Sequence, residues 1–167
     1  TALTPTSLDA GFRIFPWSYQ ADDGSIKPLT VAVWYPARST GKPVTYANGV
    51  TGDAFADAAA DTTAAPYPLI VWSHGYSGSG LAGAHLAEHL AENGYVVAAV
   101  DHNDPVNPVR ITGVVWERGD GTALRLKRAL DDLLAERPGL NHARHAYRPT
   151  ELSLTIDHML AENADPN

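Results

Sequence analysis

The sequence contains no cysteine, which excludes disulfides and thiolate chemistry and leaves the redox compartment unread. Positive charge is also scarce. There are 12 Lys and Arg against 19 Asp and Glu, a formal net charge of -7. No basic field exists to draw nucleic acid or anionic lipid. No apolar run approaches the length of a membrane span. The chain opens "TALTPTSLDAG" without Met and without an apolar leader core. A leader removed on export is therefore expected, pointing to a secreted protein, with the cytoplasm as the alternative. What is present is ordinary for a globular domain: 167 residues, 44% hydrophobic and 19% charged. That length suits one domain with a real core.

Hydrophobic patterning gives an order of elements. "GFRIFPWSYQ" and "PLTVAVWYP" are strand-like and flank "ADDGSIK", where Asp23-Gly24 signals a hairpin. Residues 37 to 67 are rich in Ala, Gly, Thr and Asp. They read as a long surface excursion with room for one short helical turn. "PLIVWS" and "YVVAAV" are continuous apolar runs, as in strands buried on both faces. Between them a helix is predicted from Leu81 to Glu92, with Leu86 and Leu90 inward and Asn93-Gly94 as its stop. Further helices are predicted from Thr122 to Glu136, along Leu126, Leu130, Leu133 and Leu134, and from Pro149 onward, along Leu152, Ile156, Met159 and Leu160. Strand, helix, strand with apolar strands implies a parallel sheet covered on both faces, with the hairpin at one edge.

The segment from Pro68 to Asp104 carries three competing motifs. Gly78, Gly80 and Gly83 form G-x-G-x-x-G, and Asp101 ends the next strand, as in a dinucleotide site. However, His74, Gly75, Tyr76 and Ser77 separate the strand from the first glycine, and Tyr147 starts no Tyr-x-x-x-Lys. The plain alternative is that Gly80 and Gly83 let helix and strand approach closely. His85, Glu88 and His89 form H-x-x-E-H, as in a zinc site, with Glu117, Glu151 or Glu162 as a third ligand. The plain alternative is a solvent-facing helix surface, and His142 and His145 read as loop histidines. Third, His74-Gly75-Tyr76 follows a strand directly. Acyl transfer needs backbone donors aimed at an oxyanion, and a strand-to-helix loop can supply one.

"VWYPA", "PLIVWSHGYSGS", "LAEHLAENGYVVAAVDHND" and the R-P-x-E-L-S-x-x-I-D-x-M-L run from Arg148 resemble the α/β-hydrolases grouped with dienelactone hydrolases and platelet-activating-factor acetylhydrolases. The G-Y-S-G-S turn resembles that of bacterial cutinases and polyester hydrolases. The resemblance runs from Arg13 to about Asn163. It implies an α/β-hydrolase fold and a cofactor-free serine carboxylester hydrolase. The Tyr76 N–H is then the oxyanion donor, Tyr76, Ser77 and Gly75 border the substrate, and His74 and Gly78 shape the loop.

The sequence departs from that group at the nucleophile. No G-x-S-x-G is present, and neither Ser77 nor Ser79 has glycines at both flanking places. None of His74, His85, His89, His102, His142, His145 and His158 matches the group's triad histidine. Residues 1–167 are therefore expected to be the N-terminal part of one hydrolase domain. The expected partner is the C-terminal half, a second chain from a precursor cut near "ENADPN", carrying the Ser, acid and His. Nucleic acid is not expected as a partner. Polyester, short acyl ester, lactone and amide substrates all stay open. Two other readings stand beside this one: an inert hydrolase-fold binding module and an NAD(P)-binding Rossmann-type oxidoreductase.

Overall fold

The computed structural model describes residues 8–38, 42–104, 107, 109–114, 124, 127, 130, 131, 134 and 145–164. Strand β1 (Asp9–Gln20) pairs antiparallel with β2 (Ile26–Ala37) along its whole length. The turn between them forms where Asp23-Gly24 predicts it. Gly24 sits at φ +80 and the Asp23 carboxylate accepts the Ser25 N–H at 2.9 Å. That positive φ suits glycine and costs other residues.

The excursion expected over residues 37 to 67 is in part sheet. β3 (Pro43–Thr45) and β4 (Thr51–Ala56) form a small hairpin, and β4 lies parallel to β1. The turn signal is Asn48-Gly49, set among small residues. Gly49 takes φ +82 and donates to the Tyr46 carbonyl at 2.8 Å, as a tight hairpin requires. The sheet order becomes β3-β4-β1-β2-β6-β5, where β5 is Leu69–Ser73 and β6 is Val96–Val100. The β1–β2 hairpin is thus interior rather than at an edge. β5 and β6 run parallel, as predicted, and β6 runs antiparallel to β2.

Alternation along β2 and β6 sorts the core into two layers. Trp34, Ala32, Val97 and Ala99 face one side and meet Ala84, Ala87 and Ala91 of helix α1 (Ala84–Glu92). Val31, Val33, Ala98 and Val100 face the other and meet Leu152, Leu154 and Met159 of helix α2 (Tyr147–Ala164). A 3-10 turn, Gly80–Gly83, leads into α1. Asn93-Gly94 ends α1 as predicted, with Gly94 at φ +86 and the Tyr95 N–H returning to the Leu90 carbonyl at 3.1 Å.

Four details differ from expectation. Leu86 is 48% exposed, and the inward face of α1 is Ala84, Ala87, Glu88 and Ala91 instead. Ile156 and Leu160 are exposed on α2, while Glu151 and Thr155 are wholly buried. α2 starts at Tyr147, so Pro149 sits within its first turn. β5 is half-buried rather than enclosed, because among the described residues only β6 pairs with it. Leu124, Lys127, Leu130, Asp131 and Leu134 are helical, in agreement with the predicted helix, and Leu126, Leu133, Glu117 and His142 lie outside the described residues. A two-strand ribbon, β7 (Val109–Arg110) with β8 (Gly113–Val114), follows β6. Among the described residues no helix is long and apolar enough to cross a membrane.

Candidate active site at the β5–α1 turn

The chain leaves β5 at Ser73 and turns through His74, Gly75, Tyr76 and Ser77. Ser77 carries the unusual backbone, at φ +62. A left-handed residue other than glycine costs roughly 1–2 kcal/mol and needs compensation. The Ser77 N–H supplies it by donating to Asp104 Oδ2 at 3.2 Å. The φ of Gly75 is not in that region. A Cβ there would meet nothing within 4 Å, so Gly75 keeps space open rather than relieving strain.

The Gly75 carbonyl is held twice. It accepts the Gly78 N–H at 2.9 Å and lies 2.7 Å from His74 Nδ1. His74 Nε2 accepts the His102 backbone N–H at 3.1 Å. One ring nitrogen therefore accepts and the other donates, which assigns a neutral imidazole with its proton on Nδ1. Burial holds the His74 pKa below its ordinary 6.5, against the Gly75 carbonyl, which raises it. In a planar trans peptide the C=O and the next N–H point in opposite directions. Fixing the Gly75 carbonyl therefore fixes the heading of the Tyr76 N–H. Ser77 and Gly78 commit their own N–H groups to Asp104 and Gly75. The Tyr76 ring stands edge-on to His145 at 5.8 Å.

Asp104 anchors this turn to α2. Its Oδ1 accepts Arg148 Nε at 3.0 Å and the Tyr147 hydroxyl at 2.6 Å, and its Oδ2 accepts Arg148 Nη2 at 2.6 Å. Arg148 Nη1 also donates to the His74 carbonyl at 2.9 Å. Burial alone would raise the Asp104 carboxyl, but the hydrogen bonds and charge of Arg148 and the Tyr147 hydroxyl outweigh it and hold it below 3.8.

A second network beneath the turn escaped the sequence reading. Ser73 Oγ lies 2.8 Å from His102 Nε2, and His102 Nδ1 lies 2.7 Å from Glu151 Oε2. Those contacts have the spacing of a Ser-His-acid triad. Glu151 also accepts the Tyr19 hydroxyl at 2.8 Å and Asn103 Nδ2 at 2.6 Å. Glu151 and the His102 ring are wholly buried, whereas Ser73 is exposed. A base that passes a proton to a leaving group must reach it, and a fully enclosed ring suits a brace better. No local motif joins residues 73, 102 and 151, so only the fold could reveal them.

The rival motifs resolve into packing. A Cβ on Gly80 would lie 2.7 Å from Ile111 Cδ1, and one on Gly83 3.0 Å from Trp72. Asp101 is buried and accepts Gly80 N at 2.7 Å and Ile111 N at 2.5 Å, so it faces loop backbone. Ser79 is buried too, with its hydroxyl on Asp101 at 3.1 Å. The His85 and His89 side chains are 76% and 72% exposed. Glu88 turns inward, where it accepts the Tyr46 hydroxyl at 2.5 Å and the Asp53 N–H at 3.1 Å. Among the described residues no group of three His, Cys, Asp or Glu could hold a metal ion. Clefts of about 550 and 400 Å³ border β1, but no residue from 73 to 79 lines either, so neither is the acyl pocket expected beside Tyr76.

Sheet, crossover and turn together define an α/β-hydrolase relative. Residues 38–115 match the family model of platelet-activating factor acetylhydrolase, isoform II. The fold is similar to that of a ferulic acid esterase from Streptomyces cinnamoneus, with 26% identity and a TM-score of 0.51, over 84% of this chain and 49% of that one. The chain thus spans about half the length of that esterase. No curated protein sequence matches it.

Proposed function

We propose that this chain supplies the oxyanion half of a carboxylic ester hydrolase. The Tyr76 N–H would bind the developing oxyanion, with Gly75, Tyr76 and Ser77 bordering the acyl group and His74 and Gly78 holding the turn. The observation that carries this reading is the doubly held Gly75 carbonyl, which fixes the heading of the Tyr76 N–H. Donors preset in this way stabilise charge without reorganising during the reaction. The likeness to an esterase and to an acetylhydrolase family supports ester chemistry. The nucleophilic serine, its acid and its histidine are assigned to a segment beyond the 167 residues, because G-x-S-x-G is absent here. That segment would seat its strand on the edge of β5 that pairs with nothing among the described residues.

Ser73–His102–Glu151 supports a second reading, in which Ser73 is itself the nucleophile. One experiment separates the two. The assembled protein is treated with a fluorophosphonate probe, and the labelled peptide is mapped. Loss of p-nitrophenyl acetate hydrolysis, with the label on a serine outside residues 1–167, is expected. A label on Ser73 would move the nucleophile into this chain. Absence of both hydrolysis and label, or hydrolysis abolished by a chelator, would sink the serine-hydrolase reading.

A further inference from the structure

We propose that the Asp104–Arg148 pair is a positioning device that sets turnover through the oxyanion turn without touching the ester. The inference rests on the reading of Tyr76 as the oxyanion donor. Arg148 makes contacts of two kinds. It grips Asp104 with two parallel N–H bonds, and with its remaining arm it holds the His74 carbonyl at 2.9 Å. Asp104 in turn receives the Ser77 N–H at 3.2 Å. The two peptide groups on either side of Gly75-Tyr76 are thus tied to one rigid ion pair. The turn is held from outside by this pair and from within by the Gly75 carbonyl.

Three observations set this apart from ordinary stability. The Asp104 side chain is fully enclosed and that of Arg148 is 18% exposed. An enclosed ion pair adds little net stability over apolar residues of the same volume. What a guanidinium-carboxylate fork adds is geometric definition, because both partners are planar and their bonds are paired. The pair also stands where definition is needed, since Ser77 sits in a left-handed backbone and its N–H ends on Asp104. Finally, Arg148 and Tyr147 lie in the first turn of α2. The same helix carries Glu151, whose carboxyl holds His102, and the His102 backbone N–H holds the His74 ring. One helix thus reaches the turn by two routes: the Arg148 route ends on the peptides flanking the donor, and the Glu151 route, through His102 and the His74 ring, ends on the Gly75 carbonyl of the donor's own peptide.

The test compares Arg148→Met and Arg148→Lys with wild type in the assembled protein, with active serines counted by fluorophosphonate titration. Displacing a catalytic group by about 1 Å costs about 100-fold. In Arg148→Met, kcat per titrated site on p-nitrophenyl acetate should fall about tenfold to a hundredfold, with KM little changed and affinity for a boronic acid falling in parallel. Arg148→Lys, which keeps the charge but loses the fork, should lie between. Amides of peptides spanning residues 74–80 should exchange hydrogen faster in Arg148→Met. Glu88→Ala serves as the stability control, because it removes the acceptor of the α1–β4 contact, and it should lower Tm while leaving kcat per site unchanged. Unchanged kcat per site in Arg148→Met, whatever its Tm, would overturn the proposal, as would unchanged exchange in the turn. If wild type neither hydrolyses ester nor takes up the probe, the ester reading fails by itself, and the exchange measurement still decides whether Arg148 holds the turn.

Discussion

Tyr76 is a residue whose side chain and backbone are assigned different work, so two substitutions should part them. Tyr76→Pro removes the N–H and should lower turnover by about 10²–10³. Tyr76→Ala keeps the N–H and should hold most of the rate on a small acetate ester while losing affinity for bulky or aromatic acyl groups. An alanine variant as inactive as the proline variant on p-nitrophenyl acetate would refute the backbone role. His74 gives a pH dependence. Its burial depresses the folded-state pKa below 6.5, so the unfolded chain binds a proton first as pH falls. Its contribution is therefore complete above pH 6.5 and is lost as pH drops below that toward the folded value. Protonation at Nε2 would also expel the His102 N–H from its acceptor. Thermal melts between pH 8 and 5 should show a steeper acid loss of Tm in wild type than in His74→Gln. Parallel curves would remove His74 as the cause.

At the level of elements, the sequence was most legible where period and punctuation agreed. Asp23-Gly24, Asn93-Gly94 and the apolar runs of β5 and β6 located a hairpin, a helix end and a parallel pair. The 37–67 region was less legible because its strands are built of small residues. Ala54 and Gly52 are chosen for closeness rather than bulk, and a Cβ on Gly52 would lie 1.9 Å from Glu88 Oε1. The site showed the same division. The His74–Gly78 turn lies in one contiguous stretch, whereas Ser73, His102, Glu151 and Arg148 converge only after folding. Glu88 illustrates the cost of reading a helix motif as surface. It is 3% exposed and links α1 to β4, and through Tyr46 to Trp34. Glu88→Ala would leave a buried hydroxyl and backbone N–H groups without an acceptor, at about 1–3 kcal/mol each. A loss of about 3 kcal/mol in urea unfolding is expected after relaxation. His85→Ala with His89→Ala should change stability by less than about 0.5 kcal/mol, since both rings face solvent. A large loss in that double variant, or none in Glu88→Ala, would reverse these assignments.

The whole molecule is asymmetric in how its sheet ends. At one end β3 is a short strand of three residues, a blunt edge of the kind that resists pairing with other chains. At the other end β5 is Leu-Ile-Val-Trp-Ser, five residues that pair only with β6 among those described. Among the described residues that leaves an apolar edge open, and open edges of this kind template aggregation. Apolar side chains also stand uncovered on the helices. Leu86 of α1 is 48% exposed, Ile156 and Leu160 of α2 are 41% and 60% exposed, and the helical Leu130 and Leu134 are 46% and 52% exposed. Single exposed leucines are unremarkable, but five such side chains on helices, in a chain whose β5 no described residue pairs with on its outer edge, indicate surface meant for cover. The esterase that this fold resembles is about twice as long as the chain. We therefore expect residues 1–167 not to form an independent folding unit. Produced alone, they should enter inclusion bodies or soluble aggregates. Produced with a complementary segment that carries further parallel strands and a G-x-S-x-G serine, they should be rescued as a complex with an apolar interface of obligate size, above about 2,000 Å². Hydrogen exchange would then report protection along Leu69–Ser73 that the isolated chain lacks. A soluble monomer of residues 1–167 with a cooperative thermal transition would sink this expectation, because an unpaired β5 would then be the native edge of the sheet.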